Sequence, residues 1–414
     1  MTVDDLSRGK DKVGICVSGG LDSRTITRKL TDMGVKAACF TADLAQPDET
    51  DIRNVKRRMD ACGARTAIVD LKDDMAEACF QVLKAQAMYD GGYWNTTGIA
   101  RAVTVRGMLS ELKRAGCTVL AHGATGRGND QMRFERYTNA LEPGMKVYAP
   151  WRDPALLAEF PGRKQMAAYL RRHGIDAFPG KKKRYSTDAN LAGLSHEAED
   201  LESLRTPCAI VEATMGVWPR QAPDRVVRFT VRFEKARAVE IDGRDVPPLE
   251  AMRLANRIGG AAGVGIKNAL ENRIVGTKSR GVYEAPGMEL LGLCLQQVYQ
   301  AVMDKRASAV FRSMSRFVAD QIYEGRYFDA STTAAMAAID VLARFACGTV
   351  TVGLYRGNVF FESMTGVRAS LYNEADSSME ASAGLNPVSS QGFAEIQSVE
   401  ARAMARARQV RRSL

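Results

Sequence analysis

The feature that most constrains this chain is an alternation running to about residue 150. Short apolar runs at Val13–Val17, Ala37–Thr41, Thr66–Val69 and Thr118–Ala121 are separated by stretches with apolar residues at helical spacing, such as Ile26, Leu30 and Met33, then Ile52, Val55 and Met59. Strands joined through helices can pair only in parallel, so the pattern predicts an α/β fold with a doubly wound parallel sheet. In such a sheet a ligand lies beyond the carboxyl ends of the strands. Two glycine-bearing stretches fall at that rim: VSGGLDSR (Val17–Arg24) and the segment after His122.

A strand that hands over to a helix through two glycines offers close backbone approach and exposed amides, which suits phosphate. The loop is neither GxxxxGK[ST] nor GxGxxG, so no loop lysine reaches a terminal phosphate. Ser18 and Ser23 can donate hydroxyls. Asp22 can hold Mg2+, since a carboxylate facing phosphates needs a cation between them. The plain alternative is a glycine turn with a serine cap, and Asp22 and Ser23 after a buried strand weigh against it.

With 414 residues, 45% of them hydrophobic, the chain can form two domains with sizeable cores. The alternation stops near Pro179, which sets a first domain at 1–178, a second α+β domain at 179–385 and a helical arm at 386–414. In the second domain Val226–Phe233 alternates like a half-buried strand, Thr349–Phe361 reads as a hairpin turning at Arg356–Asn358, and Glu289–Val318 is largely helical. From Gly392 an amphipathic helix reads as an oligomerisation arm or a surface helix.

The net charge of +10 is spread over short runs at Arg8–Lys12, Lys181–Arg184 and Arg402–Arg412, without an aromatic-studded basic stripe. That favours small anionic substrates over nucleic acid. No apolar run is long enough to span a membrane and the N-terminus is too polar for a signal peptide, so a cytoplasmic protein is expected. Eight scattered cysteines without a CxxC pair read as reduced core residues, and three separated histidines argue against zinc.

SGGLDS resembles the pyrophosphate loop of the N-type ATP pyrophosphatases. Longer blocks resemble one family among them, argininosuccinate synthase: FTADLAQ (Phe40–Gln46), AHGATGRGNDQMRFE (Ala121–Glu135), APWR (Ala149–Arg152), YSTDANL (Tyr185–Leu191), ENRIVGTKSRGVYEAPG (Glu271–Gly287) and LYRGNV (Leu354–Val359). The blocks keep the family's order over nearly the whole chain. The resemblance implies a cytoplasmic homotetrameric ligase that uses ATP and Mg2+ to adenylate the ureido oxygen of citrulline, or of a related ureido or carbonyl acceptor. The amine of aspartate then displaces AMP.

By position, the resemblance assigns Ser18, Gly19, Gly20, Asp22 and Ser23 to the pyrophosphate of ATP, with Asp22, Ser18 and Ser23 as catalytic residues and Asp22 on the metal. Ala42 and Gly123 match backbone contacts to the adenosine. Thr97, Thr125, Asn129 and Asp130 match the aspartate site. Tyr93, Asn129, Arg133, Ser186, Ser195, Glu271 and Tyr283 match the acceptor site, where Arg133 suits a carboxylate and Glu271 a ureido N–H. Ser186 could instead cap a helix begun at Asp188.

The chain also departs from the family. Arg24 replaces a serine of the loop, and is expected either to add charge near the pyrophosphate or to point outward. Trp94, Asn95 and Thr96 are bulkier or more polar than usual, and Gly98 stands where a serine would contact the acceptor's carboxylate. GIKN (Gly265–Asn268) replaces a GRxD pattern, and HEAED (His196–Asp200) stands where an LEDPW-like stretch is expected. These changes suggest an altered acceptor, or a non-catalytic nucleotide-binding or regulatory paralogue. An RNA-modifying pyrophosphatase is weaker, having no family-specific blocks.

Overall fold

The computed structural model describes residues 1–49, 51–126, 128–177, 186–378 and 386–411. They form two compact units, Met1–Arg368 and Ala369–Leu414.

The larger unit begins with helix α1 (Val3–Arg8) and then alternates: β1 (Val13–Cys16), α2 (Leu21–Asp32), β2 (Ala37–Asp43), α3 (Arg53–Asp60), β3 (Thr66–Asp70), α4 (Lys72–Ala85), α5 (Thr96–Arg114), β4 (Val119–His122), α6 (Asp130–Leu141), β5 (Lys146–Tyr148), α7 (Pro154–Glu159) and α8 (Arg163–Arg172). The strands pair in parallel in the order β3-β2-β1-β4-β5, as the alternation predicts. β5, three residues with one buried, is too short and mixed to be recognised in the sequence. Val13 and Ile15 of β1 are fully buried and pack in one cluster with Ile26 and Leu30 of α2 and Leu156 and Leu170 of α7 and α8. From β1 the chain goes to β2 and β3 on one side, then crosses from β3 to β4 on the other side of β1. The crevice at this reversal lies beyond the ends of β1 and β4.

Two antiparallel sheets follow. β6 (Ser186–Asn190), β7 (Gly193–Glu197), β11 (Ile266–Asn272) and β12 (Lys278–Glu284) form one, ordered β11-β12-β7-β6. β8 (Val227–Glu234), β9 (Arg237–Ile241), β10 (Arg244–Asp245), β13 (Gly348–Tyr355) and β14 (Asn358–Thr365) form the other, ordered β10-β9-β8-β13-β14. The β13–β14 turn is tight, with Tyr355 paired to Asn358 and positive φ at Arg356 and Gly357, the backbone twist a two-residue hairpin needs. Helices α9 (Pro248–Ala261), α10 (Pro286–Val302), α11 (Lys305–Tyr323) and α12 (Ala330–Ala343) complete the unit.

One local expectation is corrected. Ser186 opens strand β6, so it does not cap a helix at Asp188; the pairing of Ser186–Asn190 with β7 outweighs the capping signal. The expected boundary at 178/179 and the basic run Lys181–Arg184 lie outside the described residues, as does the end of the arm at 412–414. The smaller unit holds α13 (Glu374–Ser377) and α14 (Pro387–Arg406), which starts before Gly392 at an Asn386 cap and buries none of its residues.

Candidate active site

The glycine-rich loop leaves the carboxyl end of β1, where the Val17 amide still bonds to the Phe40 carbonyl at 2.9 Å. Gly19 is left-handed, and Gly20 is an extended N-cap with no side-chain cap for α2. The helix therefore presents its first amides to the loop. Ser18 is exposed, whereas Ser23 is buried and its hydroxyl bonds to the Gly20 carbonyl at 3.2 Å. Desolvation pushes the half-buried Asp22 carboxyl up from its ordinary value. Ala42 lies in the adjacent β2, and a side chain built on Gly123 would lie 3.9 Å from the Ser23 amide. The fold thus brings all the residues assigned to ATP to one rim.

A second cluster gathers around the start of α6. Asn129 donates to the Tyr323 hydroxyl at 2.9 Å and accepts from the Ile274 amide at 3.0 Å. Arg133, buried, donates to the Tyr323 carbonyl at 2.8 Å and to Asp130 at 2.9 Å, with its guanidinium 4.9 Å over the Tyr323 ring. Arg101 reaches Asp130 at 2.8 Å and Asp188 at 2.6 Å. Against the cost of burial, Arg101 and Arg133 hold the Asp130 carboxyl below the usual carboxylate range.

From the antiparallel sheet, Tyr283 bonds to Glu271 and packs on Tyr93 with ring centroids 4.2 Å apart. The Tyr93 hydroxyl accepts from the Thr97 amide at 2.8 Å, tying α5 to this sheet. Ser195 is buried directly across the ladder from Tyr283. Burial and the neighbouring Glu197 push Glu271 up to about 7, against the Tyr323 hydrogen bond and the charges of Arg133 and Arg273. Glu271 thus sits poised between its charged and neutral forms near neutral pH.

Tyr93, Thr97, Asn129, Asp130, Arg133, Ser195, Glu271 and Tyr283 therefore meet in one network. Thr125 is exposed on the loop that runs from Gly123, against Ser23, to Asn129 in the network, so that loop spans the two clusters. The Ser186 side chain lies outside the described atoms.

Four of the departures, Arg24, Trp94, Asn95 and Gly98, prove to be scaffold residues. Arg24 is buried and neither meets the pyrophosphate loop's open side nor points outward: it donates to the carbonyls of Gly20 at 3.2 Å, Ala177 at 2.7 Å, and Asp176. Trp94 is buried against Gly292 and donates to Glu289 at 2.7 Å, which also pairs with Lys267, from the replaced GIKN stretch, at 2.7 Å. Asn95 is buried and donates to the carbonyls of Ala87 at 3.2 Å and Ala319 at 3.0 Å. A Cβ on Gly98 would stand 3.0 Å from the Ile322 carbonyl, so position 98 faces α11 and the expected loss of an acceptor contact there is not what the glycine does.

The network also contains residues not singled out from the sequence. Tyr323 ends an ordinary amphipathic helix, and nothing local distinguishes it from core. Asp188 lies in YSTDANL, Glu197 in HEAED and Arg101 three residues past Gly98, but that these side chains faced the site was not readable. Burial pushes Glu197 up, with Asp130 adding to it.

Fold and loop define a class, a nucleotide-binding domain of the HUP type joined to a second domain that completes the site. Residues 12–176 match the profile described as the arginosuccinate synthase N-terminal HUP domain, and residues 185–404 that of the arginosuccinate synthase C-terminal domain. Relatives named argininosuccinate synthase include one from Rhodopirellula baltica, 37% identical over 95% of this chain and 97% of its own length. Another, from Thermotoga petrophila, is 36% identical over 94% of this chain and 96% of its own. The chain belongs to the argininosuccinate synthase family.

Proposed function

We propose that the chain is an ATP-dependent, AMP-forming carbon–nitrogen ligase that activates the ureido oxygen of citrulline and joins it to the amine of aspartate. The observation that carries this reading is the convergence of Asn129, Asp130, Arg133, Glu271 and Tyr283 in one network, in a chain matched along its length to one family. A urea carbonyl is a poor electrophile, and adenylation turns its oxygen into a leaving group. The protein then has mainly to position reactants and stabilise charge.

The loop and the amides of α2 would bind the phosphates of ATP, Ser18 and Ser23 would supply hydroxyls, and Ala42 and Gly123 would contact the adenosine. Asp22, a half-buried carboxylate at the start of α2 that desolvation pushes up, would be the Mg2+ ligand. The ion would neutralise phosphate charge. Thr97, Thr125, Asn129 and Asp130 would hold aspartate. Tyr93, Asn129, Arg133, Ser186, Ser195, Glu271 and Tyr283 would hold the acceptor.

Citrulline is favoured over another ureido compound because Trp94, Asn95 and Gly98 pack against the scaffold rather than into the acceptor set. The non-catalytic alternative rested on Arg24, which is engaged with main-chain carbonyls. A homotetramer is supported by α14, where Val388, Phe393, Ile396 and Val399 are exposed. Eight free cysteines accord with a reducing, cytoplasmic setting. No helix among the described residues is long and apolar enough to cross a membrane.

The test is pyrophosphate release with Mg·ATP, aspartate and a panel of ureido compounds led by citrulline, beside Asp22→Ala. Aspartate-dependent release with citrulline, lost in the variant, is expected. Turnover only on another ureido compound would replace citrulline, and silence on every acceptor would overturn the reading.

A further inference from the structure

The loop VSGGLDSR brings no lysine to the phosphates, and Arg24 is turned away to Asp176 and Ala177. A different cation lies against it. Arg58, on α3, has its guanidinium beside Gly19: a Cβ at that glycine would stand 3.3 Å from Arg58 Nε and 3.4 Å from Nη2, with Val55 at 3.1 Å. Gly19 is thus needed twice, for its left-handed backbone and for the approach of α3.

Arg58 Nη2 is held by Glu49 at 2.7 Å, and Glu49 is fixed in turn by Asn54 at 3.3 Å. Its Nε is buried and has no hydrogen-bond partner. A buried donor without a partner costs free energy unless something fills its place. One salt bridge to Glu49 accounts for one nitrogen; it does not account for an orphan N–H beside a phosphate loop.

We propose that Arg58 is a catalytic residue of the adenylation step, binding the departing pyrophosphate. The inference deepens the proposed function and rests on it. In that step the ureido oxygen forms a bond to the α-phosphorus, the bond from the α-phosphorus to its bridging oxygen breaks, and the electron pair stays on that oxygen. Pyrophosphate leaves with the added charge. A guanidinium already fixed by Glu49 meets that charge with little reorganisation, the condition under which such donors count most. The Glu49 carboxylate keeps Arg58 in place and directs its remaining N–H groups to the loop.

The test uses the full chain and measures binding of magnesium pyrophosphate by titration calorimetry, then turnover, for wild type, Arg58→Gln, Arg58→Lys and Glu49→Gln. Arg58→Gln is expected to weaken pyrophosphate binding at least tenfold and to lower kcat about 10- to 100-fold. Arg58→Lys should recover part of both, and Glu49→Gln should retain most of the binding. Equal pyrophosphate binding by wild type and Arg58→Gln would overturn the proposal. So would equal losses in Arg58→Gln and Glu49→Gln, which is what a purely structural salt bridge predicts. Because pyrophosphate binding is read directly, a wild type that binds it but turns over no acceptor would sink the proposed function and leave the comparison of variants to decide on Arg58.

Discussion

Asn129 and Tyr323, 194 residues apart in the chain, meet through a hydrogen bond of 2.9 Å that joins the N-cap of α6 to the last residue of α11. Tyr323 also stacks on Tyr89 with centroids 3.8 Å apart, carries Arg133 over its ring, and bonds to Glu271. One hydroxyl thus orders donors and acceptors on both sides of the network.

Replacing that hydroxyl alone tests its role. Tyr323→Phe keeps the ring packing but leaves Asn129 Nδ2 without its partner and takes one hydrogen bond from Glu271, which keeps Tyr283, a loss of about 1–3 kcal/mol. Steady-state kinetics should show KM for citrulline raised roughly tenfold with kcat less affected. Unchanged KM would mean that the bond is incidental.

Glu271 sets a pH dependence in two measurements. Ionised, it accepts a ureido N–H more strongly than the neutral acid does, so kcat/KM for citrulline should fall as pH drops through about 7, and Glu271→Gln should remove that limb. Its folded pKa lies above the unfolded value, so the folded chain binds more protons in between. The resulting stability is present below the unfolded pKa of about 4.3 and is lost as pH rises toward the folded value. Denaturant midpoints across this window should show the wild type losing more stability than Glu271→Gln.

Arg24→Ser, which restores the family's residue type, removes the donors to Gly20, Asp176 and Ala177. The carbonyl of buried Ala177 loses its partner, which costs on the order of 1–3 kcal/mol. A lower urea midpoint with a nearly normal KM for ATP is expected. A large rise in that KM would return Arg24 to the phosphates.

Gly98→Ser would be expected from the sequence to add an acceptor contact. The structure predicts the opposite, because its Cβ would crowd the Ile322 carbonyl. Overpacking of this kind costs about 1–3 kcal/mol, visible as a lower melting temperature with no gain in affinity for citrulline. Tighter binding would contradict the packing seen here.

The alternation of apolar runs and helical periods determined the parallel sheet, because burial on both faces and the period of each element are local properties of sequence. So did the glycine loop's place at a strand end, and the hairpin at Arg356–Gly357, where chain reversal needs left-handed backbone. The ladder of β6, β7, β11 and β12 was less legible: its strands are short and polar and pair across long intervals, and Ser186 even carried a competing helix signal. Within the site, residue types were readable but directions were not. Trp94, Asn95 and Gly98 lie beside Tyr93 and Thr97 in sequence, yet successive residues entering a helix point about 100° apart. Which of them faced the substrate, whether Arg24 or Arg58 met the loop, and that Tyr323 joined Asn129 to Glu271 were decided only when distant elements packed together. Those contacts depend on the approach of whole surfaces, which no local window of sequence contains.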